Sequence, residues 1–417
     1  MEPTASPTSD DQTASRTLTF PAFRVRNFRV FVAGQSISLI GSWTETVAQG
    51  LLILQLTNSG VVLGLATAAR YLPVLLLTPY AGLIVDRHDK RKILMLTAIG
   101  LASLSSIACF LIATHLITVW MVFVMAIGFG CLTALDNPAR QAFIPEMVDR
   151  ELVRNAVTLN STFVNVGRAV GPVVAGVVVA SLGIAWCFAI NAASFAAVIV
   201  ALALIRASAL HPATAVARAK GQLVEGFRYA FSRREIFVPL IMMALIGTFT
   251  YEFEVSLPLF AEGPLHGGAV GYSWLIASFG TGSVLGGIYC LKRPATGIAR
   301  LIRAASLYAV AMAATGFAPT VYVAAPLLVV VGMASITFIT TGNSTIQLAA
   351  SPQLRGRVTA LWSTAFVGST PIGAAIIGAV GAASPQWAVW LGAGACAAAA
   401  VTALALRGKK RPPITAI

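Results

Sequence analysis

Six ionisable side chains lie inside long apolar stretches of this chain, where a charge is costly and usually serves a function. They are Glu45, Arg70, Asp136, Arg168, Glu252 and Glu254. A carboxylate shielded from water can bind and release a proton, and a shielded guanidinium attracts an anion. The chemistry that these residue types indicate is proton exchange and ion recognition inside an apolar medium.

Counting along the apolar stretches places several of these groups at similar depth. Glu45 and Arg70 each lie about ten residues from the ends of neighbouring stretches, which is ~15 Å for a helix. We expect that the two can pair across antiparallel helices, either as functional groups or as a permanent ion pair. Glu252 lies at nearly the level of Glu45 in a related segment, whereas Glu254 points to a different side of its helix.

These positions give the predicted proton and substrate sites. Glu45 and Glu252 are the candidates for proton binding, and at most one of Glu252 and Glu254 is expected to face a central cavity. Arg70 and Arg168 are the candidates for pairing with these acids or for anchoring a substrate. Alternatively, Arg168 satisfies Asn165 and backbone carbonyls.

The apolar stretches themselves predict membrane-spanning helices. The chain has 417 residues, of which 57% are hydrophobic and 11% charged, and an apolar helix needs ~20 residues to cross a bilayer. Twelve such stretches recur, so the fold class is an all-α membrane protein. They cover approximately residues 28–54, 61–85, 93–113, 117–135, 156–180, 184–205, 236–260, 272–291, 298–317, 321–341, 358–380 and 386–406.

The basic residues predict the orientation of these helices. Of the 29 Lys and Arg residues, all except Arg70 and Arg168 lie in alternate gaps between the spans or at the adjoining span ends. Loops rich in Lys and Arg face the cytoplasm, so both termini are expected there, in a multi-pass protein of the plasma or inner membrane. Anionic membrane lipids explain the net charge of +14, and we expect no nucleic-acid partner.

The longest gap divides the chain into two similar halves. Leu39–Thr44 and Leu245–Thr250 share a pattern of residue types. Asn137 and Asn343 are separated by the same number of residues as these two segments. We therefore expect two pseudo-symmetric six-helix halves, an arrangement typical of secondary transporters that bind substrate between their repeats. The predicted boundaries are a disordered tail at 1–27, halves at 28–206 and 236–406, a linker with an amphipathic helix at 207–235, and a basic tail at 407–417.

Other residue types argue against further chemistry. The five cysteines lie singly inside apolar spans, and no triad, metal cluster or phosphate-binding loop is present, so we expect no enzyme, metal or cofactor. The glycines between Phe279 and Gly287 indicate close helix packing. Aromatic residues at the depth of the acids predict a cavity for an amphipathic solute. They are Trp43, Tyr71, Phe249, Tyr251 and Phe279.

Two segments resemble signatures of the major facilitator superfamily, and two more resemble one of its branches. Gly82-Leu-Ile-Val-Asp86-Arg87-His-Asp-Lys90-Arg91-Lys92 resembles its Gly-x-x-x-Asp-Arg-x-Gly-Arg-Arg loop, with Asp89 in place of Gly. Gly167-Arg-Ala-Val-Gly171-Pro172-Val-Val-Ala-Gly176 resembles the signature of its antiporters. Asp136–Pro145 and Glu225–Tyr229 are similar to the branch of transmembrane secretion effectors that includes the enterobactin exporter. The resemblance extends over Phe23 to Leu406.

The resemblance implies function as well as fold. The first signature implies a conformational latch formed by Gly82, Asp86, Arg87, Lys90, Arg91, Asp136 and Arg140, with Arg140 as a possible partner of Asp86. The second implies a hinge at Gly167, Gly171, Pro172 and Gly176, and export in exchange for protons. We expect the exported substrate to be a small amphipathic organic molecule, drug-like or siderophore-like. We expect a monomer. The alternatives are an importer or uniporter of the same fold and a non-transporting membrane sensor.

Overall fold

The computed structural model describes residues 21–211, 222–293, 296–351 and 354–407. The predicted tails, apart from residues 21–27 and 407, and the middle of the linker lie outside the described residues. Fifteen α-helices follow one another within the described ranges. They are α1 (Arg26–Thr57), α2 (Gly60–Arg87), α3 (Lys90–Ala113), α4 (Val119–Glu146), α5 (Val153–Ser181), α6 (Ile184–Leu204), α7 (Gln222–Ser232), α8 (Arg234–Phe249), α9 (Phe253–Glu262), α10 (Gly268–Lys292), α11 (Ile298–Gly316), α12 (Val321–Ala349), α13 (Arg355–Val367), α14 (Thr370–Ala383) and α15 (Pro385–Arg407).

The predicted fold class is confirmed. Among the described residues, twelve helical segments are long and apolar enough to cross a membrane. Helices α1 to α6 form the first half and α8 to α15 the second. We call the end of the bundle where α1 begins and α15 ends the termini end, and the other end the far end.

Two spans differ from the continuous helices that hydropathy predicts. The seventh span is broken between α8 and α9 at Thr250–Glu252, and the eleventh between α13 and α14 at Gly368 and Ser369. The second break has a local cause, because Pro371 lies in the first turn of α14, where its missing N–H is tolerated. The two breaks are adjacent, since a Cβ on Gly247 of α8 would lie 3.3 Å from the Ser369 hydroxyl.

The two halves pack tightly against each other through small residues. Helix α2 meets α14 where a Cβ on Gly64 would lie only 2.9 Å from the Cα of Gly378. Helix α5 meets α10 where a Cβ on Gly280 would lie 2.7 Å from the Cα of Ala169. Without such small side chains the backbones could not approach this closely.

The close contacts that α5 makes with the second half lie in the middle of the helix and toward its far end. On α5, Gly176 packs on Ser273 and Ala169 on Gly280, and both lie on one face of the helix. Thr162 and Thr158 precede Ala169 by seven and eleven residues and lie on the same face of α5, closer to the termini end. Both are exposed. Because polar residues on this face are uncovered while α5 is in close contact with α10 toward the far end, we interpret the arrangement as a cleft between the halves that opens at the termini end.

The linker helix α7 lies within the segment predicted to be amphipathic. Its Ala230 is fully buried, whereas Phe227 and Phe231 are exposed. Tyr229 fixes the helix to the bundle, because its hydroxyl accepts a hydrogen bond from the backbone N–H of Ser351 at 2.9 Å. The exposed aromatic residues suit a helix at a membrane surface.

The glycines of α10 are used for packing, as their sequence indicates. A Cβ on Gly282 would lie 2.8 Å from the Cα of Val329 on α12, and one on Gly286 would lie 2.9 Å from the Cα of Met333. Gly287, by contrast, has no atom within 4 Å of the position of an added Cβ. Neighbouring glycines of one helix therefore differ in whether a methyl group fits.

We expect Gly282→Ala to lower the free energy of unfolding by about 1–3 kcal/mol, because the added methyl group meets backbone that cannot move aside. Gly287→Ala is the matched control and should be neutral or stabilising by up to about 1 kcal/mol, since alanine favours a helix. Thermal unfolding of the purified proteins in the same detergent measures the difference. Equal stability of the two variants would contradict this account of the α10–α12 contact.

Candidate functional site

A polar site lies between the two halves, at the junction of α1, α2 and α9. The hydroxyl of Tyr71 on α2 donates a hydrogen bond to Glu254 on α9 at 3.0 Å. Arg70, next to Tyr71, donates to the side-chain oxygen of Gln49 on α1 at 2.8 Å. This hydrogen bond between Tyr71 and Glu254 joins the first half to the second.

A small cavity lies beside this hydrogen bond. Its volume is about 10 Å³, which is room for one water molecule. Arg70 and Glu254 line it from the two halves, and polar and apolar residues together complete the wall. The other lining residues are Thr46, Gln49, Gly50, Ile53, Leu63 and Thr67. A polar cavity of this size can hold the water that would relay a proton to Glu254.

Arg168 lies close to the same site without a bond of its own. The central carbon of its guanidinium group lies 5.1 Å from the centre of the Trp43 ring. Tyr71, Tyr251 and Glu254 are near enough to interact with it electrostatically. Its Nε is buried and has no hydrogen-bond partner.

Glu45 occupies a different environment within the first half. It is only 1% exposed, and it accepts hydrogen bonds of 2.6 Å from Ser105 on α3 and from Asn191 on α6. Among the described residues no Lys or Arg nitrogen lies within 4.0 Å of it. The expected pair with Arg70 therefore does not form, because Glu45 faces α3 and α6 while Arg70 bonds to Gln49.

Glu252 lies at the break in the seventh span. It precedes α9 and is 3% exposed. A Cβ on Gly373 of α14 would lie 2.9 Å from its Oε1, and this oxygen has no hydrogen-bond partner. Glu45 and Glu252, which the sequence predicts at nearly the same depth, therefore contact different helices.

The predicted aromatic residues are only partly brought together. Trp43, Tyr71 and Tyr251 surround Arg168. Tyr251, which lies between α8 and α9 in the second half, also donates a hydrogen bond from its hydroxyl to the backbone carbonyl of Ser335 on α12 at 3.1 Å. Phe279 is buried 4.3 Å from the Phe253 ring and belongs to the packing of the second half.

The fifth aromatic residue, Phe249, is half-buried at the end of α8. Its backbone carbonyl lies against α15, 3.2 Å from where a Cβ on Gly392 would be. Its backbone therefore packs within the second half.

The residues of the predicted latch lie at the termini end, but Asp86 does not meet Arg140. Asp86 and Arg87 are exposed, and Gly82 is half-buried. Arg140 instead bonds to Asp136, four residues earlier on α4. This pairing replaces the expected one because residues four apart lie side by side on a helix.

The basic residues of this loop hold other helices. The Lys90 ammonium lies 2.9 Å from the carboxylate of Glu146 on α4. The Arg91 guanidinium donates to the carbonyl of Leu202 at 2.7 Å, at the carboxyl end of α6, where a cation is favourable. Asp89, which stands where the signature has Gly, caps α3 by accepting from the Arg91 N–H at 2.9 Å.

The predicted hinge residues are in close contact with two helices. Helix α5 continues through Pro172. A Cβ on Gly167 or on Gly171 would lie 2.9 Å from an atom of α1, and one on Gly176 would lie 2.7 Å from the Ser273 hydroxyl of α10. These residues therefore let α5 pack on both halves at once.

Sequence reasoning missed the neutral partners of the charged groups. Gln49, Ser105 and Asn191 were not predicted, although each is a polar residue inside an apolar span. Their hydrogen bonds to Arg70 and Glu45 show that a polar amide or hydroxyl in such a span is as informative as a charge.

Comparison with known proteins identifies the family. The family model described as transmembrane secretion effector matches residues 17–415. The enterobactin exporter EntS of Escherichia coli O1:K1 is 25% identical over 383 residues, which are 87% of this chain and 86% of that protein. The staphyloferrin A transporter of Staphylococcus aureus is 29% identical over 153 residues, only 36% of this chain and 38% of the transporter.

A third relative and two solved structures extend the comparison. The macrolide efflux protein A of Streptococcus pyogenes is 26% identical over 269 residues, covering 63% of this chain and 65% of that protein. A bacterial homologue of the human lysosomal transporter Spinster, inward-facing and unoccupied, has a TM-score of 0.70 at 15% identity and covers 93% of this chain and 96% of its own. The nucleoside transporter NupG has a TM-score of 0.72 at 14% identity, covering 92% and 100%. The chain therefore belongs to the transmembrane secretion effector family of major facilitator transporters.

Proposed function

We propose that this protein exports a small amphipathic organic molecule from the cytoplasm in exchange for protons. The observation that carries the proposal is the hydrogen bond between Tyr71 and Glu254, which joins the two halves beside a polar cavity. A carboxylate at this place can link its protonation to the relative movement of the halves. The lysines and arginines at the termini end support a cytoplasmic orientation for the open side of the cleft.

The proposed cycle uses Glu254 for the substrate and the proton in turn. In the state described here the cleft opens at the termini end, and a hydrogen-bond donor of the substrate binds the ionised carboxylate. After the halves rock, the substrate leaves at the far end and a proton from outside replaces it on Glu254. Return of the halves releases the proton inside, and the Tyr71 hydroxyl bonds to the carboxylate again. Because a proton and a substrate donor compete for one carboxylate, exchange is obligatory.

The relatives suggest which molecules to test. Their names specify a macrolide, enterobactin and staphyloferrin A, which are larger than the cavity in the state described. Substrate would therefore occupy the cleft on the termini side of Glu254 as well as the small cavity. We propose a substrate with both a polar group for the site and an aromatic or apolar body, because Trp43 and Tyr71 border it.

Everted membrane vesicles test the exporter directly, since their cytoplasmic face is outside. We expect vesicles containing the protein to accumulate at least one of these three compounds when their interior is acidified, and to release protons as they do so. Vesicles without the protein are the control. Uptake that follows the compound's own gradient and moves no protons would instead favour a uniporter.

Glu254→Gln should abolish accumulation driven by the proton gradient while retaining exchange of labelled for unlabelled compound, because an amide cannot carry the proton. The matched control is Glu45→Gln, in which the amide keeps the shape of a side chain already bonded to Ser105 and Asn191. We expect it to keep accumulation within about twofold, since its hydrogen-bond partners all lie in one half. Full accumulation by Glu254→Gln would contradict the proposed proton-binding role of Glu254. Loss of accumulation in Glu45→Gln alone would assign that role to Glu45.

Tyr71→Phe should shift the protein toward a state open at the far end. A hydrogen bond to a charged group is worth about 1.5–3 kcal/mol, so the ratio of the two states should change by roughly tenfold or more. Spin labels at Leu116 and Phe317, exposed at the far end of opposite halves, report this opening by pulsed electron paramagnetic resonance once the five native cysteines are replaced.

The control for this measurement is Tyr289→Phe, which removes the hydroxyl of an exposed tyrosine on α10 outside the site. It should leave the distance between the labels unchanged. An unchanged distance in Tyr71→Phe as well would show that the hydrogen bond does not hold the far end closed.

A further inference from the structure

One arginine of the site, Arg168, stands apart because it forms no ion pair or hydrogen bond with any of the described residues. No hydrogen bond joins the guanidinium of Arg168 to another described residue, and its buried Nε has no partner. No carboxylate oxygen among the described residues lies within 4.0 Å of it. Arg168 is only half-buried, but its Nε is shielded from water, and a buried N–H without a partner is costly unless another group supplies the missing contact.

The other arginines within spans are compensated. Arg70 donates to Gln49 and lies 5.5 Å from the centre of the Phe129 ring. Arg140, whose Nε is also buried without a partner among the described residues, is neutralised by its bond to Asp136. Among the described residues, the close contact of the Arg168 guanidinium is with the face of the Trp43 ring. A ring face attracts the cation but accepts none of the conventional hydrogen bonds that five N–H groups can donate.

The surroundings of Arg168 favour an anion over a neutral group. Arg70 and Arg168 are both near Glu254, whose carboxylate already accepts a hydrogen bond from Tyr71. Glu254 gives Arg168 no direct ion pair, so the N–H groups of Arg168 are open to an acceptor from a ligand. Because α5 borders the cleft, a ligand entering from the termini end can reach the guanidinium.

We infer that Arg168 is an anion-binding subsite, so that the transported molecule carries a carboxylate, sulfonate or similar group next to an aromatic body. This inference rests on the proposed transport function. The anionic group binds the N–H groups of Arg168 in a forked arrangement, and the aromatic body lies along Trp43. A separate donor on the same molecule meets Glu254, so the anionic group does not compete with the proton.

Two probes of the same skeleton test this subsite. Dansylate carries a sulfonate, and dansylamide carries the neutral sulfonamide in its place. Calorimetric titration of the protein in zwitterionic nanodiscs, with empty nanodiscs as the blank, gives both affinities. We expect the wild type to bind dansylate about tenfold more tightly than dansylamide, as a charge-assisted hydrogen bond predicts.

Arg168→Gln should weaken dansylate binding about tenfold and leave dansylamide within about twofold. Arg168→Lys keeps the charge but not the forked geometry, so an intermediate loss is expected. This variant decides the matter if the glutamine variant does not fold. The matched control is Arg300→Gln, which removes an arginine that also lies over a ring, 5.4 Å from Tyr289, outside the site; both affinities should stay unchanged.

Three outcomes would overturn the inference: a wild type that does not prefer dansylate or fails to bind it, unchanged binding in both Arg168 variants, or an equal loss of both probes. The last would indicate a structural role. Failure of the proposed function has a different signature, namely no accumulation driven by the proton gradient in everted vesicles. A protein that passes the vesicle test and fails the dansylate test would be an exporter without this anionic subsite.

Discussion

The structure depends on the rule that hydrocarbon cannot hydrate a charge, so a polar group within the spans must find its partner in the protein. Glu45 satisfies the rule through Ser105 and Asn191, and Asp136 through Thr97 and Arg140. These groups all belong to the first half. They can hold their helices together without restricting movement between the halves.

The bond between Tyr71 and Glu254 follows the same rule with a different consequence. Because its two residues belong to different halves, separation of the halves at this level must break it. The carboxylate must then be compensated in another way, by a proton or by a ligand. Every buried charge needs a partner, and for Glu254 this need would make the conformation of the protein depend on what binds the carboxylate.

The contacts between the halves have little polar character elsewhere along α2, α5, α10 and α14. Small residues such as Gly64 and Gly280 bring backbones together over short distances, which gives close packing but few directional bonds. The breaks at Thr250–Glu252 and Gly368–Ser369 lie in the second half, whereas the related α1 and α5 are continuous. The two halves thus have equal numbers of spans but differ in helix continuity, and the break in the seventh span lies beside two carboxylates, Glu252 and Glu254.

The sequence predicted the spans well and the site less well, for identifiable physical reasons. Hydropathy is averaged over a whole span, so it locates twelve helices but cannot detect a break at Thr250–Glu252, which contains neither Gly nor Pro. Even proline was ambiguous, since Pro371 begins a helix while α5 continues through Pro172. Counting residues gives the depth of a side chain reliably, but each residue turns a helix by about 100°, so the face is easily misjudged.

That difference between depth and face decides between the candidate acids. Residue counting predicts Glu45, Glu252 and Glu254 at similar depth, yet Glu45 is enclosed by α3 and α6, and Glu252 faces α14. Glu254 faces the polar cavity and bonds to the opposite half. A coupling carboxylate must meet each side of the membrane in turn, and a group between two moving halves changes its surroundings whenever they move. A group enclosed within one half has no comparable reason to do so, which supports Glu254 over Glu45 as the site of exchange.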